Sequence, residues 1–180
     1  VDSTLFAILS FLIPAVFVAF EATSPEYRDI LSDRPRLARN GAYLVTAAVV
    51  INIVKELNLW LVPLLPSLFG GELPFWIDVV GCIFFAEFIN YMLHYVKHKS
   101  EFLWKFHFQH HIETKFNMWL LTHTHGLEVI ISGSLIAALS TMVGFSATAL
   151  SIYLLIYNGA KAYQHTTFNY SLGWLDYVLV

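Results

Sequence analysis

Hydrophobic positions run along this chain in long blocks with short polar breaks between them, the pattern of helices that lie in an apolar medium. Residues 3–20 carry no charge over 18 positions, about the length at which a helix crosses a bilayer. No small-residue cleavage site follows, so residues 5–20 are expected to be a retained span rather than a signal peptide. A polar stretch, 21–40, holds Arg28, Arg34, Arg36 and Arg39. Residues 41–69 are apolar again, interrupted by Lys55-Glu56 and ending near Pro63 and Pro66. That charged pair is expected either to face the bundle interior or to sit at a shifted membrane interface. After the break Gly70-Gly71-Glu72-Leu73-Pro74, with Pro74 suited to a first helical turn, residues 74–98 predict a helix of roughly 37 Å. Ser100 is a fitting N-cap for a short helix over 101–111.

Residues 129–160 carry no charged side chain over 32 positions. A single helix there would be about 48 Å long, too long for one span without strong tilt. Charge decides between one helix and two. Four of the 10 Lys and Arg fall in 28–39, four in 97–115, and Lys161 follows the apolar block. The positive-inside rule places all three groups on the cytoplasmic side. Only a hairpin, turning at Gly144-Phe145-Ser146, returns the chain to that side.

Composition agrees with a membrane protein: 57% of residues are hydrophobic and 13% charged, against roughly 25% charged in soluble domains. The mean hydropathy is +0.62. The expected fold is all-α, one membrane domain over residues 1–180. It comprises N-terminal spans within 4–69, a histidine-rich region over 74–128, and the apolar hairpin with its continuation over 129–180. About four to five membrane segments are expected, with a cytoplasmic helical cap carrying the histidines. A net charge of -3 without a basic patch excludes nucleic acid as a partner. With Cys82 the single cysteine, neither an internal disulfide nor a thiolate metal cluster can form. Any metal must be held by nitrogen and oxygen.

The histidines supply such donors. Of the 8 in the chain, none precedes residue 94 and seven fall in 94–125. His94 and His98 are spaced to share one helix face, as are His107, His110 and His111. Imidazole suits iron, zinc and copper, and five rings from two adjacent helices can build most of a two-metal site. A lone histidine at a membrane interface is ordinarily an amphipathic residue with a wet tip; five at this periodicity are not. His125, three residues before Glu128, is a candidate ligand with an orienting carboxylate, or else, like His123, a polar interface residue. His165 reaches the cluster only if the hairpin forms. Glu87, Tyr91, His94 and His98 make a polar stripe beside Asn90. Ionisable groups at membrane depth are costly unless paired or functional, so Glu87 is expected to bond a ligand imidazole or to anchor a neighbouring helix. Glu87 and Glu128 are the candidate catalytic carboxylates.

The run His94-Tyr95-Val96-Lys97-His98, then Leu103-Trp104-Lys105-Phe106-His107-Phe108-Gln109-His110-His111, then Asn117 and His125-Gly126-Leu127-Glu128, resembles the fatty acid hydroxylase/sterol desaturase superfamily. Tyr163-Gln164-His165-Thr166-Thr167-Phe168-Asn169-Tyr170 and Leu172-Gly173-Trp174-Leu175-Asp176 resemble that family's later histidine segment. The resemblance implies a di-iron centre that uses dioxygen to hydroxylate or desaturate a membrane lipid, with His94, His98, His107, His110, His111 and His165 as ligands. Tyr95 replaces the family's usual arginine, and Glu87 its usual aspartate. The family pattern continues with a third His-x-x-His-His cluster. This chain ends on Tyr177-Val178-Leu179-Val180, which sets the expectation of a piece that stops short of its last ligands and is inactive as it stands.

With no nucleotide-binding glycine loop or flavin motif, electrons would come from a cytoplasmic carrier, a ferredoxin or a cytochrome b5-like protein. The alternatives are a membrane metal-binding or transport protein and an inactive relative. Transport sites usually lie near the bilayer midplane, whereas these histidines follow the end of a span. A bis-histidine haem protein fits the triplet poorly, and the sequence contains no His-Glu-x-x-His of a zinc peptidase.

Overall fold

The computed structural model describes residues 3–68, 73–112, 117–167 and 173. Among these, every regular element is helical. The later histidine segment beyond residue 167 lies, apart from Gly173, outside the described residues, as does most of the break at 70–74.

The first apolar block forms α1, Ser3–Glu21. The polar stretch that follows is not a plain connector: it folds into α2, Pro25–Ser32, and supplies the first turns of α3, Arg34–Leu61. Two capping side chains explain this. The Ser24 hydroxyl accepts from Tyr27 N at 3.2 Å, and Asp33 Oδ1 accepts from Arg36 N at 3.1 Å. Each satisfies an N–H that a helix start would otherwise leave unpaired. Lys55 and Glu56 are exposed on α3 rather than turned into the bundle.

Helix α4, Phe75–Lys99, and α5, Glu101–His111, meet at Ser100, whose hydroxyl caps α5 through Leu103 N at 3.3 Å. A 3₁₀ turn, Met118–Thr122, leads from there to the final helices. These are α6, Gly126–Val143, and α7, Ala147–His165. They are separated where the sequence places the hairpin turn. Gly144 takes φ 109°, a conformation that costs an L-residue roughly 1–2 kcal/mol. Its N–H closes α6 on Ser140 O and Thr141 O at 3.2 and 2.9 Å. Ser146 then opens α7 by accepting from Ala149 N, and Asp78 accepts from both the Ser146 backbone N–H and its hydroxyl. The turn is thus fastened to the start of α4.

The two legs do not pack chiefly on each other. Helix α6 lies on α3 and α4, while α7 lies on α4 and α1. Small residues permit the close approach: Cys82 and Ala86 of α4 meet Ala149 and Tyr153 of α7 in the best-buried cluster. A Cβ at Gly126 would stand 2.8 Å from Val50 of α3. Among the described residues, three helical stretches, Arg34–Leu64, Phe75–Lys99 and Gly126–Val143, are long and apolar enough to cross a membrane. Their outer faces carry exposed Leu, Ile, Val, Phe and Trp side chains, as expected where the surrounding medium is itself apolar. At the end of the bundle away from the Asp78 staple, the close of α1, α4 and α7 and the start of α3 and α6 come together. Glu21 there bonds Met118 and Thr167, Asn40 bonds His123, and Lys97 bonds Glu128.

Candidate metal centre

The turn at Ser100 folds α5 back beside the end of α4, so that two pairs of rings, each one helical turn apart, face one another. The ring centroids of His94 and His98 are 4.7 Å apart. His107 stands 4.7 Å from His94 and 4.9 Å from His98, and His111 stands 4.9 Å from both His98 and His107. One ligand atom from each of the four lies within 4.8 Å of every other. The nearest pairs are Nε2 to Nε2, at 3.0 Å between His94 and His98 and 3.1 Å between His107 and His111. A nitrogen–nitrogen hydrogen bond places one proton between two lone pairs, whereas a cation can serve all four at once. The donor set is entirely imidazole, which suits a transition metal and not calcium or magnesium.

A carboxylate fixes one ring. His107, 2% exposed, donates from Nδ1 to Glu128 Oε1 at 3.0 Å, and Lys97 Nζ donates to the same oxygen at 2.8 Å. With the proton held on Nδ1, the Nε2 lone pair of His107 is directed into the cluster. Glu128 sits in the first turn of α6, where the helix dipole favours a negative charge. Its other oxygen is buried without a hydrogen-bond partner among the described residues. Trp104 closes the open side, with its ring 5.1 Å from His98 and 5.4 Å from His111.

His110 and His165 form a neighbouring pair, ring centroids 5.4 Å apart, with His110 5.8 Å from His107. His165 Nδ1 donates to Lys161 O at 2.8 Å, which leaves its lone pair on Nε2. His110 Nδ1 is buried without a hydrogen-bond partner among the described residues. The hairpin therefore does bring His165 to the other histidines.

Burial depresses the basicity of the α5 imidazoles, which lie outside the spanning helices. His110 is pushed down from 6.5 to about 3 by desolvation, helped by the charge of Lys161. His111 is lowered by burial and by His98; His107 is lowered by burial although Glu128 opposes it. The unfolded chain then binds more protons than the folded one wherever these rings stay neutral. For His110 this stability is fully present above pH 6.5 and is lost as pH falls from 6.5 toward about 3. The thermal midpoint of metal-free protein should therefore hold steady above that window and fall within it, less steeply in His110→Gln. A midpoint that stays flat on acidification would contradict this.

The remaining expectations fall differently. His125 is not among the converging rings: its Nδ1 accepts from Leu127 N at 3.2 Å as the N-cap of α6, and its ring lies 5.0 Å from that of Phe106. Glu128 consequently orients His107 rather than His125. His123 is buried with its Nε2 2.9 Å from Asn40 Oδ1 and 4.3 Å, ring to ring, from Tyr43, joining α3 to the turn before α6. Glu87 lies near Asn90 and Tyr153 of α7, and Tyr91 of the same stripe is exposed. Lys97, Trp104 and Asn40 were not singled out by spacing. Only Lys97 had a local signal, a cation placed between two histidines of one box.

Apolar helices with a four-histidine cluster at one end define a membrane protein compatible with metal binding. The family model for fatty acid hydroxylases matches residues 79–180, a stretch that takes in every histidine described above, and the chain belongs to that family. No curated protein and no solved structure matches it.

Proposed function

We propose that this chain is the histidine-ligated core of an oxygen-dependent iron enzyme that hydroxylates or desaturates a membrane lipid, sterol, fatty acyl or related. The observation that carries this reading is the convergence of His94, His98, His107 and His111 at the end of apolar helices in a chain of the fatty acid hydroxylase family. The same four residues would hold iron, with His110 and His165 the nearest donors for a second ion. Bound iron would supply the activation of dioxygen needed to oxidise an unactivated C–H bond.

The chain's own residues do the rest. Glu128 keeps the His107 proton on Nδ1 and its lone pair inward. Trp104 shields the exposed flank of the cluster from water. The apolar outer faces of α3, α4 and α6 leave lipid tails in direct reach of the bundle, so a substrate can arrive from the bilayer without crossing water. Hydroxylation places one oxygen atom of dioxygen in the lipid and releases the other as water. It needs protons and an electron pair, for which a cytoplasmic ferredoxin or cytochrome b5-like protein is the proposed source. In this reading α1 and α7 add to the three long apolar helices as membrane segments, and the histidine end lies on the cytoplasmic face, where most of the Lys and Arg residues fall.

The test is metal analysis of the full-length protein, together with incubation of lipid, reductant and isotopically labelled dioxygen. Iron that copurifies, and labelled hydroxyl or a new double bond in the lipid, is the expected result. Haem absorbance, or metal binding without any oxygen-dependent change in lipid, would overturn it; the second outcome would favour a metal-handling protein.

A further inference from the structure

A second buried carboxylate stands at the histidine end of the bundle, outside the cluster. Glu21 closes α1 and is 0% exposed. Its Oε2 accepts from Met118 N at 2.9 Å and its Oε1 from Thr167 N at 2.9 Å. Those partners lie 97 and 146 residues away in sequence, so each oxygen holds a different connector. Met118 opens the 3₁₀ turn between α5 and α6, and Thr167 stands two residues beyond His165.

The position is unfavourable for a carboxylate on local grounds. Burial penalises its charge, and the C-terminal end of α1 presents the negative pole of the helix. What it achieves is at the other end of its hydrogen bonds. His165 is the last residue of α7, and last turns fray. Just beyond it, Thr166 reaches back to Tyr163 O, through a long backbone bond of 3.3 Å and through its hydroxyl at 3.0 Å. The bond from Thr167 N to Glu21 adds a hold from outside α7 to the local bonds of His165 and Thr166.

We propose that Glu21 is a positioning residue of the metal centre. It ties the backbone after His165 to the turn that precedes α6, and so keeps the His165 ring against His110. This rests on the reading of His110 and His165 as metal-binding residues.

The experiment loads full-length protein with cobalt(II) and records stoichiometry, the d–d absorption of the bound ion and the thermal midpoint. It compares wild type with Glu21→Leu, Glu21→Gln, His165→Ala and Asp78→Asn. The last variant weakens the staple at the opposite end and serves as the measure of general destabilisation. Glu21→Leu should change the cobalt spectrum as His165→Ala does and bind the weaker equivalent roughly tenfold less tightly. Glu21→Gln, which keeps one carbonyl acceptor, should recover part of the loss. Asp78→Asn should lower the midpoint and leave the spectrum unchanged.

A wild-type spectrum and stoichiometry in Glu21→Leu would overturn the proposal, and so would an equal spectral change in Asp78→Asn. If Glu21→Leu is not recovered folded, Glu21→Gln carries the same comparison. A wild type that takes up no cobalt removes the metal-centre reading and this one with it, whereas normal uptake with an indifferent Glu21 removes this one alone.

Discussion

Replacing His107 by alanine is expected to weaken metal binding by more than about a hundredfold, a larger loss than replacement of a carboxylate that only orients a ligand. His107 is the best-buried ring of the four and touches each of the other three. It is also the ring whose tautomer is set from outside. Removing it deletes a donor and opens the middle of the site to water. His125→Ala is the matched control, because His125 caps α6 and does not join the converging nitrogens. It should cost about 1 kcal/mol of stability and leave metal affinity unchanged. Competition titrations against a chelator separate the two, and equal losses in both variants would contradict the assignment of ligands.

Substitution of Glu128 should produce the next largest effect. Alanine there is expected to lower metal affinity by about 10- to 100-fold, with glutamine intermediate, since it keeps an acceptor for His107 Nδ1–H but loses the charge. Lys97, side-chain exposure 13%, would lose its counter-charge at the same time. Its cation would then stand beside the histidines and further disfavour a bound metal ion. Lys97→Met in the Glu128→Ala background should therefore restore part of the affinity. Affinity in Glu128→Ala equal to wild type would show that the tautomer of His107 is set some other way.

Much of this arrangement could be read from the chain, and the parts that could not share one property. Helix α5 announces itself through Ser100 and the spacing of His107 and His111, and the hairpin through Gly144 and Ser146, because caps and turns depend on neighbours in sequence. The four-histidine cluster follows from periodicity once the two helices fold back on each other. Helix α2 and the early start of α3 escaped because the arginines of residues 28–39 look like a connector, while the capping oxygens of Ser24 and Asp33 are one atom each in a polar stretch. The true partner of Glu128 escaped because His125 is nearer in sequence while His107 is nearer in space, 21 residues away. For Glu87, spacing left two roles open, and its nearness to Tyr153 of α7 is something no local pattern reveals. Glu21 gave no signal at all. Its partners are backbone N–H groups, which every residue but proline possesses.

The staple between Lys97, His107 and Glu128 also constrains how the protein matures. A ribosome delivers α4 and α5 well before α6, so a nascent chain displays its first histidine pairs while the carboxylate that sets the His107 proton is still unmade. His165 arrives later again. Under the proposed function, the metal would therefore be taken up late, once α6 and α7 have supplied Glu128 and His165.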